Sequence, residues 1–141
     1  DVRPIGCDLQ LDVCNMAPVA NDSFDAIVAK AVLQHVYDDD AALDEMRRVL
    51  KPGGRLLLQV HHRINAYTER AVDQTEHYGN GNLDAYKVGT YRIYGDLSLL
   101  PKLQARFLVK TFHARDPISG TLDCIFSCMK PSPLLATAGD T

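Results

Sequence analysis

Several things are scarce in this sequence. Its 141 residues contain no apolar run longer than a few residues, far short of the roughly 20 that a membrane-spanning helix needs. There is no basic excess. Fifteen Lys and Arg stand against 18 Asp and Glu, giving a net charge of −3, so no strong positive field is present and nucleic-acid binding is disfavoured. None of the four cysteines, Cys7, Cys14, Cys124 and Cys128, forms a C-x-x-C pair. Their spacing is not that of a dense disulfide scaffold, and the expectation is buried thiols in a cytoplasmic protein. Cys124 and Cys128 have no further ligands close in sequence, so no metal site is expected. The opening Asp1-Val2-Arg3-Pro4 has neither an initiator Met nor an apolar leader segment, so residue 1 is expected to be a processed or internal start. Internal repeats and low-complexity blocks are absent as well.

What is present is ordinary globular composition, 46% hydrophobic and 23% charged, on a chain long enough for one domain with one core. The run Phe24 to Ala29 follows the polar turn Asn21-Asp22-Ser23 and reads as a buried strand. Asp38-Asp39-Asp40 then opens a helix whose apolar positions, Ala42, Leu43, Met46, Val49 and Leu50, recur at helical spacing. An Asp cap and acidic first turn, with Arg47, Arg48 and Lys51 at the other end, suit the helix dipole. Pro52-Gly53-Gly54 is expected to stop the helix and turn the chain, and Arg55 to Val60 to form a second buried strand. Strand, helix and apolar strand make a βαβ unit with parallel strands.

Further along, Thr68 to His77 reads as a possible helix and Gly79 to Asn82 as a loop. Leu97, Leu100 and Leu103 sit at helical spacing behind a candidate cap, Asp96, with Pro101 expected to kink or shorten that helix. Phe107 to His113 and Thr121 to Met129 read as strands joined by a Pro117- and Gly120-containing linker, a hairpin. The expected core is Phe24, Val28, Leu33, Leu43, Met46, Val49, Leu57 and Phe107. Lys130 to Thr141 reads as a loose tail.

Two stretches carry a resemblance. Asp22-Ser23-Phe24-Asp25 leads to Leu33-Gln34-His35-Val36, and then Glu45-Met46-Arg47-Arg48-Val49-Leu50-Lys51-Pro52-Gly53-Gly54 follows. This pattern resembles the D-x-S-F-D, L-E-H-V and E-x-x-R-V-L-K-P-G-G motifs of class I S-adenosylmethionine-dependent methyltransferases, with Gln34 in place of Glu. Tyr91-Arg92-Ile93-Tyr94-Gly95 resembles the R-x-Y-G stretch ahead of the last helix in one branch of that family. The resemblance spans about residues 8 to 130. It implies an α/β fold: an incomplete Rossmann-like methyltransferase sheet, parallel strands flanked by helices, ending in an antiparallel C-terminal hairpin. Residues 1–130 would be a partial methyltransferase domain and 131–141 a flexible tail. The family's glycine-rich loop, D/E-x-G-x-G-x-G, has no counterpart in this sequence, where Gly6 is isolated and Gly79 and Gly81 come too late. The chain is therefore expected to be a truncated form.

The resemblance also implies S-adenosyl-L-methionine as cofactor and methyl transfer to a small-molecule acceptor. By that resemblance Asp12 would accept from the adenine amino group and the Val13 N–H would bond a ring nitrogen; Asp8 is an alternative acid, for the ribose. Ala29 and Lys30 would lie over the cofactor at the carboxyl end of a parallel strand, with Lys30 either reaching the methionine carboxylate or solvated. His35 is the catalytic candidate, as a base or as a substrate-orienting group, with packing as the alternative. His61 and His62 follow the second strand at the rim of the expected site, as substrate contacts or simply a polar strand end; His77, Tyr78, Tyr91 and Tyr94 lie in the region where acceptors would bind, and are as readily explained by packing. Two further readings stand beside methyl transfer: a catalytically inactive, methyltransferase-like interaction module, and a small α/β module for another anionic ligand. A sheet lacking its first strands would expose the edge at Phe24 to Ala29. That edge would be covered by Gln10 to Cys14, or by a second copy in a homodimer.

Overall fold

A computed structural model describes residues 6–60, 62–70, 90–115, 117, 118, 120 and 122–133. The first strand, β1 (Phe24–Lys30), leads through a 3-10 turn (Leu33–His35) into α1 (Asp39–Val49) and then β2 (Leu50–Gln59). Three short strands follow, β3 (His62–Arg63), β4 (Glu69–Arg70) and β5 (Arg92–Gly95). The chain ends with α2 (Asp96–Gln104), β6 (Leu108–Arg115) and β7 (Leu122–Met129). β1, β2, β7 and β6 form one sheet in that order. β1 is parallel to β2, and the other pairings are antiparallel, which is the expected βαβ unit closed by a hairpin. The short strands make a second sheet, in the order β3, β5, β4. Residues 71–82 lie outside the described residues, apart from which Glu69 and Arg70 are strand rather than the expected helix. Most of the tail also lies outside them.

α1 forms where its cap and periodicity said it would. The Asp38 carboxylate accepts from the Ala41 N–H at 3.0 Å, and Ala42, Leu43, Met46 and Val49 are buried against the sheet. Ala42, Leu43 and Met46 meet Ala29 of β1, Leu56 and Leu58 of β2, and Phe126 and Cys128 of β7 in one core, completed by Leu99 and Leu103 of α2 and by Phe107. The two helices are stitched along their length. Lys102 bonds Asp39 and Asp40, and Arg106 bonds Asp40 and Asp44, at 2.6–3.0 Å. Asp40 and Asp44 are one turn apart on α1, and Lys102 of α2 and Arg106 just beyond its end are four residues apart, so the acids and bases face each other.

Four sequence expectations fail. Pro52-Gly53-Gly54 does not leave the sheet; it bulges within β2. One residue of β1 lies between Phe24 and Ala26, but four of β2 lie between their partners Leu50 and Arg55. Gly53 takes a positive φ of 79°, and the bulge bonds onward to the end of the hairpin through Gly53 N–H to Lys130 O and Lys130 N–H to Gly54 O, both 2.9 Å. Second, α2 is capped by Gly95; Asp96 is its first helical residue, with a side chain turned back to accept from Ala66 N–H at 3.2 Å. Third, Pro101 sits inside α2, and the buried stripe is Leu99 and Leu103, with Leu97 exposed. Fourth, three residues expected in the core are not there. Val28 is 72% exposed, Phe24 42% and Leu57 39%. Val28 and Leu57 are register partners on the sheet face opposite α1, and no helix among the described residues covers that face.

The family-like motif residues turn out to hold this framework together. Arg48 donates to the carbonyls of Val19 and Met16 and to Asn21, while Glu45 accepts from Met16 N–H at 2.6 Å. The pair thus ties residues 16–21 along α1. Ser23 Oγ donates to Ala20 O, Lys51 bonds both oxygens of Asp25, and Lys130 bonds Asp22 and the carbonyl of Leu50 beyond the end of α1. Gln10 to Cys14 does not pair with β1. It folds on itself around an Asp12–Asn15 bridge, leaving β1 an edge strand among the described residues.

The bulge yields a test. A Cβ on Gly54 would stand 2.8 Å from Lys51 O and 3.0 Å from Asp25 O, so Gly54→Ala is expected to lower stability by about 1–3 kcal/mol through overpacking of backbone. Gly53 has open space but positive φ, and Gly53→Ala is expected to cost about 1–2 kcal/mol. Urea denaturation midpoints of both variants measure this.

Candidate functional site

The loop at the carboxyl end of β1 is where the site residues gather. Lys30 pairs in register with Gln59, and Ala31 N–H continues the ladder to Gln59 O at 2.9 Å. Ala31 has φ 52°, a left-handed conformation that a residue with a Cβ adopts at some cost. Ala29 is buried and Lys30 exposed. The chain then tightens into the Leu33–His35 turn and enters α1.

Asp12 and Val13 lie in an exposed turn beside this loop. The Asp12 carboxylate accepts from Cys14 N–H at 2.8 Å, and its carbonyl from Asn15 N–H at 3.0 Å. The turn is anchored to the start of α1 by the Cys14 thiol, 3.3 Å from Asp38 O, and Val13 and Cys14 pack on the core that includes Ala29 and Leu33. Val13 packs on the core that holds Ala29, while Asp12 and Lys30 are exposed. Asp8 is exposed. Among the described residues no group of three metal-ligating side chains exists.

His35 sits in the turn, half-buried, with Nδ1 at 3.5 Å from Thr90 Oγ1. His62 packs edge-on against Phe126, with ring centroids 5.6 Å apart. His61, His77 and Tyr78 lie outside the described residues. Tyr91 packs edge-on against exposed Tyr37, at 5.5 Å. Both rings line a shallow pocket of about 400 Å³ with Asp38, Asp39, Thr68, Glu69, Arg70 and Arg92.

Sequence reasoning missed the most tightly held polar group. Asp39 is buried at the start of α1 and accepts from Tyr94 Oη and Lys102 Nζ, both at 2.8 Å, with Arg92 Nη1 at 3.6 Å. Burial pushes its carboxyl up, but the bonds from Lys102 and Tyr94 and the charge of Arg92 outweigh this and hold it below the ordinary carboxylate range. Burial, with the Asp39 charge beside it, holds the Tyr94 phenol far above its ordinary range, so its hydroxyl remains a donor. The available signal was Arg92 and Tyr94 two residues apart on one strand, hence on one face. The cysteines are free thiols, but the expectation that they are buried holds only for Cys124 and Cys128, Cys7 and Cys14 being partly exposed; burial pushes Cys128 up to about 12.

Residues 4–58 match the family model described as a methyltransferase domain. The demethylmenaquinone methyltransferase of Paenarthrobacter aurescens is 39% identical over 84 residues, which are 53% of this chain and 33% of that protein. The 1,6-didemethyltoxoflavin-N1-methyltransferase of Burkholderia thailandensis, solved with 1,6-didemethyltoxoflavin and S-adenosylhomocysteine, superposes with a TM-score of 0.62 at 18% identity. The match covers 88% of this chain and 50% of that one. The cyclase SpnF superposes with a TM-score of 0.58, also at 18% identity, over 86% of this chain and 54% of that one. The chain spans about a fifth to a third of the length of the curated relatives it matches. These structures share the fold, an α/β Rossmann-like methyltransferase sheet.

Asp39 generates the test for this region. Tyr94→Phe removes one donor and keeps the ring, and is expected to cost about 1–2 kcal/mol; Asp39→Asn disrupts three partners and is expected to cost about 2–4 kcal/mol. Because the folded Asp39 carboxyl is held low, its contribution is complete above the ordinary carboxylate value and lost as pH falls through the depressed one. Urea midpoints between pH 7 and pH 2 should fall more steeply for the parent than for Asp39→Asn.

Proposed function

We propose, on the premise that this chain belongs to the class I S-adenosylmethionine-dependent methyltransferases, that it supplies the adenine side and the acceptor side of a methyl-transfer site for a small-molecule acceptor. The observation that supports this reading is that the loop from Ala31 to Asp38 leaves the carboxyl end of a parallel strand, the place where α/β sheets bind ligands, and that the Asp12 turn is tied to its far end through the Cys14 thiol and Asp38 O.

The residues present fit one end of S-adenosyl-L-methionine. Asp12 is exposed and uses one carboxylate oxygen on its own turn, leaving the other to accept from an adenine amino group. The Val13 N–H is assigned to a ring nitrogen. Ala29 and Ala31, both small, let the loop backbone approach a ligand, and Lys30 is assigned to a methionine carboxylate or to solvent. No residue of this sequence is assigned to the ribose, since the family's glycine-rich loop has no counterpart here. Bound cofactor supplies a methyl group on a sulfonium, a ready leaving group. What remains for the protein is to align the acceptor and exclude water. His35 is placed to orient an acceptor or to take its proton.

A second reading is a methyltransferase-like interaction module without catalysis. Isothermal titration of S-adenosylmethionine into a longer protein that joins this chain to a glycine-rich loop separates the two, with binding expected on the first reading and none on the second. This chain alone is expected to bind S-adenosylmethionine weakly or not at all, and low-micromolar binding would refute that. In a protein that binds an adenosyl ligand, Asp12→Ala is expected to weaken affinity by about 1–3 kcal/mol; an unchanged affinity removes Asp12 from the site.

The edge of β1 supports self-association as a homodimer. Lys30, Arg55 and Lys110 share the open sheet face, against Asp123, and two such faces repel. The edge, not the face, is the route favoured for a second copy. Light scattering that shows a monomer at high concentration, with β1 amides protected from exchange, would exclude it.

A further inference from the structure

The R-x-Y-G stretch has so far only a stabilising account, yet its contacts are directed at one loop. Arg92 Nη1 donates to Val36 O at 2.7 Å, and Arg92 Nη2 to Tyr37 O at 2.6 Å. Tyr91 N–H donates to Gln34 O at 2.9 Å, and Thr90 stands 3.5 Å from the His35 ring. Tyr94 donates to Asp39 at the loop's end. Residues 90–94 therefore contact Gln34, His35, Val36, Tyr37 and Asp39, and those to Gln34, Val36 and Tyr37 are made at main-chain carbonyls. A forked guanidinium can take two adjacent carbonyls at once.

The far side of the same stretch is built in with equal firmness. A Cβ on Gly95 would collide with the backbone of Ala66 and Tyr67. Gly95 N–H donates to Thr68 Oγ1 at 3.1 Å, and Leu97 N–H to Ala66 O at 3.0 Å. Arg92 is itself braced from behind by the Tyr94 ring, 5.9 Å from its Cζ. One end of the strand is locked to residues 66–68 and the other to the loop carrying His35.

We propose that Arg92 is a positioning residue: its guanidinium fork sets the conformation of the Leu33–Tyr37 loop and so the placement of His35 over the carboxyl end of β1. Tyr94 supports it by holding Asp39, where the loop enters α1. The importance of His35 rests on the methyl-transfer reading above, but the positioning itself does not.

The test uses the chain as it is. Three variants are compared: Arg92→Ala; Arg92→Lys, which keeps the charge near Asp39 but not the fork; and Lys102→Met, which strips Asp39 of a partner without touching the loop. Readouts are amide hydrogen exchange over residues 33–38 and the imidazole nitrogen resonances of His35, assigned with His35→Gln. Both Arg92 variants are expected to speed exchange in the loop about tenfold or more relative to α1 and β2, and to move the His35 resonances. Lys102→Met is expected to lower the denaturation midpoint and leave both readouts unchanged. If Arg92→Ala does not fold, Arg92→Lys carries the test. The proposal is overturned if Arg92→Lys leaves the loop and His35 as in the parent, or if Lys102→Met disturbs them equally. A failure of cofactor binding, by contrast, would count only against the methyl-transfer reading.

Discussion

The buried carboxylate of Asp39 is the constraint on which the rest of the described structure depends. It begins α1, and its three partners come from two other elements: Tyr94 and Arg92 from β5, the strand inserted ahead of α2, and Lys102 from α2. A carboxylate taken out of water is costly unless its lone pairs are met. Meeting them requires that the inserted strand and both helices reach one point. The loop between β1 and α1 ends there, so the same requirement delivers His35 and its neighbours to the end of the sheet.

A division of labour follows. The stretches that most resemble methyltransferase motifs, Asp22 to Asp25 and Glu45 to Gly54, act here as framework. Arg48 and Glu45 bind the incoming segment along α1, Lys51 meets Asp25, and the two glycines shape a bulge that reaches the hairpin end. The residues proposed for chemistry, Asp12, Ala29 to Ala31 and His35, lie outside these two stretches. A motif can thus identify a fold with high specificity while its own side chains never face a ligand.

The two sheet faces differ sharply, and the difference explains the failed core assignments. Ala29, Leu56, Leu58, Phe126 and Cys128 face α1 and α2 and are buried, whereas Val28, Leu57, Leu108 and Phe112 face away and are exposed. Continuous apolar strands signal a sheet meant for cover on both faces. Here the described residues cover one.

Local physics was legible in the residues themselves. The Asp38 cap, the apolar period of α1, the parallel pairing of its flanking strands and the closing hairpin each depend on neighbours close along the chain or on a period that a helix or strand imposes. The candidate loop was legible too, because ligands gather at the carboxyl ends of parallel strands whatever the side chains. Tertiary structure alone decided which face of each strand is covered, that Pro52-Gly53-Gly54 bulges within a strand instead of ending it, and that Asp96 turns back to Ala66 while Gly95 caps α2. It alone joined Arg92 and Tyr94 to a loop more than fifty residues earlier. Such pairings are set by which groups must be satisfied on burial, and a hydrogen bond between distant segments leaves no period in the sequence to read.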